Sequence, residues 1–351
     1  MTRAAGPSPD DDPATRLGDD PLHLLLAVRG LHEDIRARTG ELLERARVDG
    51  NADLAAAPGA WGAGDLNYAL DDAAEEALEV FGRALGARHP LALVSEGPGL
   101  QRFGEGAAGQ ALRVLVDPVD GTRSLMHDMR SAWAVTAVAP DHGELTRLSD
   151  ADVAVQTELP TTGARHYRVL TAIRGRGARI ATHDVDSGDV LDERPLVVEP
   201  ELPIENGYLC FTRFLAAERP LVAALEAHFL DEAIAAHALS PRLLYDDQYL
   251  CNAGQMFFVT TGRYRMLADL RGWLHHVFGV DNFTSKPYDM AALRVYTEAG
   301  VPVLDEHLAP LDAPMDTSTR LSIIAFANTA LAEALLPQLR DAMEALAAHG
   351  A

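Results

Sequence analysis

The chain has 351 residues, 48% of them hydrophobic and 23% charged, enough to bury a sizeable core in one large domain or two packed subdomains. Its 52 acidic residues against 30 Lys and Arg give a formal net charge of −22, a field that repels nucleic acid and anionic membranes. No apolar run approaches the roughly 20 residues that cross a bilayer, and the two cysteines, Cys210 and Cys251, form no CxxC pair, so neither a zinc site nor a disulfide framework is implied and a reducing cytoplasm is the expected setting.

Residues 1–20 are rich in Pro, Gly and Asp and hold no apolar h-region, so they read as a disordered acidic tail rather than a signal peptide. Residues 22–46 place Leu, Val and Ile at helical spacing, which predicts an amphipathic helix. A second helix is predicted over 66–85, with Asp65 as its N-cap. Beyond His89-Pro90 come short apolar runs at 91–94, 112–116, 132–139, 153–155 and 167–173, separated by Gly, Pro and Asp, and these predict strands.

A Pro- and Glu-rich stretch at 195–206 is expected to join an N-terminal α+β subdomain (21–200) to a C-terminal α/β subdomain (201–351). The latter is expected to hold a strand at 208–211, a helix at 220–236, a strand pair around 256–267, and helices at 289–299 and 329–348. Interleaved strands and helices predict a layered α/β protein. Gly175-x-Gly177 opens no helix with a third glycine and is no dinucleotide fingerprint. His275-His276 lacks an acidic or His partner at helical spacing, which favours a surface or packing role; Trp61 and Trp133 read as core or subdomain contacts. Asn282-Phe283-Thr284 fits a glycosylation sequon by chance.

The informative segment is Val114-Leu-Val-Asp117-Pro-Val119-Asp120-Gly121-Thr122-Arg-Ser-Leu-Met-His127. An apolar strand ends in Asp117, Pro118 stiffens the turn, and Asp120 returns a second carboxylate to the same spot. Gly121 permits close backbone approach, and the amides of Gly121 and Thr122 at a helix start point at an anion. Asp, Pro and Gly also make plain turns, but this ordered string after an apolar strand favours a metal-phosphate site. In so acidic a protein a phosphate site must carry its own positive charge, and bound divalent cations would supply it.

From Asp117 to His127 the string resembles the signature of the inositol monophosphatase family, in the superfamily that includes fructose-1,6-bisphosphatase and the bisphosphate nucleotidases. Other landmarks follow in order. Asp65-Leu-Asn-Tyr-Ala-Leu-Asp71 resembles the helix bringing in a catalytic aspartate, with Glu75 where the family has a glutamate; Val94-Ser-Glu96 resembles its strand-end glutamate. Arg174-Gly-Arg-Gly-Ala178 is similar to its Gly-x-Gly-Ala hairpin, and Tyr288-Asp289-Met-Ala-Ala with Glu298-Ala-Gly300 to its last ligand motif.

The resemblance implies a layered αβαβα sandwich of the sugar-phosphatase type with mixed sheets, and a phosphoric monoester hydrolase acting on a small phosphorylated metabolite such as a polyol, cyclitol or sugar phosphate. It implies that Glu96, Asp117 and the Val119 carbonyl hold a first metal, and Asp117, Asp120 and Asp289 a second. Asp71 and Thr122 are implied to orient and deprotonate water, and the amides of Gly121 and Thr122 to bind phosphate oxygens. Converging carboxylates about 4 Å apart repel by on the order of 4 kcal/mol a pair at an effective dielectric near 20, so cations must neutralise them. All-oxygen ligation suits two or three Mg²⁺ ions, with Mn²⁺ as the alternative. A homodimer is common among such families.

The chain departs from the family pattern at Gly97, where a second glutamate is usual. Tyr245-Asp246-Asp247-Gln248-Tyr249 replaces a Gly-Ser-Ala-like turn, a change that reads equally as an altered substrate wall or as a solvated acidic loop. No basic cluster near the motifs serves a second phosphate, which ranks a 3′-phosphoadenosine-type nucleotidase lower. A metal-binding relative with weak or no catalysis is the third reading.

Overall fold

In the computed structural model the described residues are 21–49, 58–61, 66–281 and 283–350; the acidic tail, Asp65 and Asn282 of the sequon lie outside them. The amphipathic repeat near the start forms α1 (Pro21–Val48), whose buried Leu24, Val28, Leu31 and Ile35 recur every three or four residues. Strands β1 (Pro58–Trp61) and β2 (Leu66–Tyr68) pair antiparallel before α2 (Ala69–Gly86). The second helix therefore starts three residues later than its sequence pattern suggests. Its first turn is held by the Asp71 carboxylate, which accepts the Tyr68 amide at 2.7 Å.

The next elements are β3 (Leu91–Ser95), β4 (Gly99–Phe103), β5 (Leu112–Asp120), the short helix α3 (Thr122–Leu125), β6 (Ala132–Pro140), β7 (Val153–Leu159), β8 (His166–Ile173), β9 (Ala178–Asp184) and β10 (Val190–Leu196). The strands form one sheet in the order β10-β9-β8-β7-β6-β5-β3-β4, parallel only between β3 and β5. The apolar runs predicted five of these strands. Of the other three, β4 and β10 are edge strands without an apolar run, six of the seven residues of β10 being exposed, and β9 has its apolar residues broken by Arg179, Thr182 and His183.

The remainder comprises β11 (Gly207–Phe211), α4 (Arg219–His237), β12 (Leu244–Tyr245), α5 (Asn252–Thr260), β13 (Tyr264–Asp269), α6 (Arg271–Phe278), α7 (Leu293–Ala299), β14 (Val303–Leu304), β15 (Ile323–Phe326) and α8 (Thr329–Gly350). Its sheet runs β12-β11-β13-β15-β14. The strand pair expected around 256–267 is a correction: α5 and β13 take its place. All but one residue of α5 is buried, and a short run apolar on every side carries no period to separate helix from strand. The helix expected from Asp289 is likewise a 3₁₀ turn, Pro287–Met290, followed by α7.

Three apolar clusters define five layers, αβαβα. Helices α1 and α2 cover one face of the large sheet with Val114 and Val116. Its other face packs Leu115, Trp133 and Val135 on α5, α7 and the second sheet, whose far face lies under α4 and α8. Among the described residues no helix is long and apolar enough to cross a membrane.

Candidate active site

The sequence reading put Asp117 at a strand end followed by a turn. Strand β5 instead runs on through Pro118 to Asp120, and its register explains how two carboxylates share a side. Asp117 lies opposite Val135 and Asp120 opposite Trp133, so three steps on β5 match two on β6. In a regular strand residues three apart face opposite ways; the one-residue bulge brings Asp120 back to the face of Asp117. That face is the one carrying Leu115, toward the middle layer.

Asp289 arrives from the 3₁₀ turn. One carboxylate oxygen each from Asp117, Asp120 and Asp289 lie within 4.8 Å of one another. Burial pushes the Asp117 carboxyl well up, with Glu96, Asp120 and Asp289 adding like charge. Asp120 is pushed up to about 6 by burial, against hydrogen bonds led by the Ala253 amide, which donates to Oδ2 at 2.5 Å. Asp289 rises to about 7 by burial and the Asp120 charge; its Oδ2 accepts the Lys286 amide at 2.5 Å. Such a group is neutralised by protons or by a divalent cation, and three oxygen donors without His or Cys fit a hard cation. Glu96 lines the same cleft outside this tight group.

Beside the acids, Thr122 Oγ1 lies 2.9 Å from Asp71 Oδ1 and 2.8 Å from the Val119 carbonyl. Its single proton serves one acceptor at a time. Gly121 starts α3 at φ +98°, and an added Cβ would meet Cys251 Cβ at 2.9 Å and Sγ at 3.1 Å. The Cys251 thiol, pushed well up by burial, stays protonated and donates to the Asp120 carbonyl at 3.1 Å. Gly121 and Thr122 line the cleft at a helix start, where first-turn N–H groups lack intrahelical partners.

Asp71, Glu96, Asp117, Val119, Asp120, Gly121, Thr122 and Asp289 thus all line one cleft. Gly97 is explained by the β3–β4 hairpin: Ser95 pairs with Gly99, and Gly97 turns at φ +78°, where a glutamate would be strained. Glu298 accepts the Gly175 and Gly177 amides at 2.8 and 3.0 Å, tying the hairpin motif to the last motif. Glu75 is half-buried on α2 and outside the cleft lining; burial and the Asp72 and Asp71 charges raise its carboxyl.

Asp246 and Asp247 are absent from the cleft lining. Asp247 binds the two Arg130 Nη atoms at 2.8 and 3.0 Å, and the exposed Asp246 pairs with Arg213, so both carboxylates are engaged by arginines; of this segment Tyr249 lines the cleft. Two arginines also line the cleft. Arg123 sits among the rings of Tyr68, Phe214 and Phe283 at 5.4–5.9 Å, and Arg271 is buried against Asp269. The sequence signal missed was Asp269-x-Arg271, an acid closing an apolar strand and an arginine opening the next helix.

His276 is an exposed partner of Glu306 at 2.7 Å, and Trp133 is core, donating to the Tyr249 hydroxyl at 3.1 Å. The side chain of Trp61 lies outside what is described.

The layered sheets are those of the sugar-phosphatase fold. The chain is similar to the crystal structure of Leishmania major fructose-1,6-bisphosphatase (13% identity, 92% of this chain and 94% of that one, TM-score 0.63). It is also similar to inositol monophosphatase-II from Staphylococcus aureus (16%, 92% and 96%, TM-score 0.58) and to Mycobacterium tuberculosis SuhB (16%, 92% and 97%, TM-score 0.55). No protein-family model and no curated protein matches the chain.

Proposed function

We propose that this chain is a member of the inositol monophosphatase family and a Mg²⁺-dependent phosphatase that hydrolyses a small phosphate monoester: a polyol, cyclitol or sugar phosphate. One observation carries the reading: Asp117, Asp120 and Asp289 meet within 4.8 Å, beside an Asp71–Thr122 pair, in one cleft. Glu96, Asp117 and the Val119 carbonyl would hold one cation, and Asp117, Asp120 and Asp289 another. When bound, these cations supply positive charge to the phosphate oxygens and acidify water.

The chain's own residues do the rest. Thr122 Oγ1 lies between Asp71 Oδ1 and the Val119 carbonyl, so its proton can turn to the carbonyl while Asp71 serves as the base that takes a proton from water. Water attacks phosphorus, the ester P–O bond breaks, the water proton passes to the Asp71–Thr122 pair, and the leaving oxygen takes a proton from solvent. The amides of Gly121 and Thr122 orient the phosphate.

The reading includes two or three Mg²⁺ ions, with Mn²⁺ as substitute, cytoplasmic residence, a homodimer, and subdomains 21–200 and 201–351 meeting at the cleft. Phosphate release across a panel of phosphorylated metabolites tests it: activity requires Mg²⁺ and is abolished by EDTA. Turnover that persists without divalent cations overturns it.

A further inference from the structure

The amides that hold Asp120 and Asp289 belong to Ala253 and Lys286. The residue immediately before each, Asn252 and Ser285, is gripped by one buried guanidinium. The two N–H groups of Arg271 Nη2 are shared among Asp269 Oδ2 at 2.6 Å, Ser285 Oγ at 2.7 Å and Asn252 Oδ1 at 3.2 Å; Nε donates to Asp269 Oδ1 at 2.8 Å. Nη1 donates to the Phe283 carbonyl at 2.5 Å. Asp269, at the end of β13, also accepts from Asn252 Nδ2 at 2.9 Å, and its Oδ2 lies 2.8 Å from Ser285 Oγ. All four side chains are buried. From one side chain, then, two short backbone paths reach two carboxylates of the acidic cluster.

We propose that Arg271 is a positioning residue of the catalytic centre. Its planar fork locks the start of α5 and the segment 283–286 to β13, and so sets the spacing of Asp120 and Asp289 to the size of one cation. Lysine keeps the charge but lacks the fork, and cannot grip Asp269, Asn252 and Ser285 together. The inference rests on the cation-binding reading above, and goes beyond it in assigning the spacing to an arginine outside the proposed set of cation ligands.

Calorimetric titration of the full chain with Mn²⁺, with catalysis absent, is the readout. Arg271→Lys is expected to bind Mn²⁺ at least tenfold more weakly while retaining a cooperative thermal transition. Ser285→Ala removes one grip without stranding a charge, and is expected to weaken Mn²⁺ binding severalfold even if the lysine variant does not fold. Folded variants whose affinity stays within twofold of the parent chain overturn the inference. A parent chain that binds no Mn²⁺ instead overturns the cation site itself.

Discussion

Replacing Asp120 with Asn separates the cost of the acidic cluster from its use. Burial raises the Asp120 carboxyl from 3.8 to about 6, so the folded state prefers the neutral form. For a carboxyl raised on folding, the penalty is absent below the unfolded value and complete above the folded one. By pH 8 it amounts to on the order of 3 kcal/mol. Asn keeps the shape, and its carbonyl oxygen can still accept the Ala253 amide at the position of Oδ2.

In EDTA at pH 8, Asp120→Asn should therefore melt higher than the parent chain, by roughly 4 °C for an unfolding entropy of about 2.1 cal/mol/K per residue. The advantage should shrink as pH falls through 6 and vanish below about 4. With saturating Mg²⁺ the order reverses, because the parent gains ligand-linked stability and the variant loses a ligand. Differential scanning calorimetry at pH 5 and 8, with EDTA and with Mg²⁺, reads all four conditions. A variant less stable than the parent in EDTA at pH 8 refutes the idea that unneutralised carboxylates strain this site.

Asp71→Asn should cut phosphate release by about 10²–10⁴-fold while calorimetry shows Mn²⁺ binding retained, because Asp71 handles the proton rather than the cation. Gly121→Ala should cost about 1–3 kcal/mol in urea unfolding, since it imposes a Cβ at φ +98° against Cys251, and should lower turnover by displacing Asp120. Buried His32 bridges α1 to the large sheet, its ring nitrogens 2.8 and 2.9 Å from the Thr136 and Thr157 hydroxyls, and burial pushes its imidazole down to about 3. A histidine lowered on folding is neutral at no cost above its unfolded value near 6.5 and penalised below it, by about 3 kcal/mol at pH 4.5. His32→Leu should be less stable than the parent at pH 7, because it strands two hydroxyls, yet lose less between pH 7 and 4.5. Equal acid losses in the two chains would count against a neutral buried His32.

The sequence by itself determined which residues could carry chemistry. Asp117, Asp120 and Thr122 stand in one ordered string, and Asp71, Glu96 and Asp289 in motifs whose order along the chain is informative. It also determined the layered α/β class, because strands buried on both faces, such as β5 and β6, leave continuous apolar runs. Where the local period vanished the reading failed: α5 is too short and too buried to show whether it is helix or strand, and β4 and β10 are edge strands without an apolar run.

Only the tertiary structure decided why three carboxylates converge. The β5 bulge is visible in the register with β6, not in the string Asp-Pro-Val-Asp, and the grip of Arg271 on Asn252 and Ser285 joins residues 19 and 14 positions away. The pairing of Asp247 with Arg130, 117 positions apart, is likewise a product of the packed fold. Short-range patterns record what each residue is and which face it takes. Distances between charges distant in the chain exist only once the layers have packed.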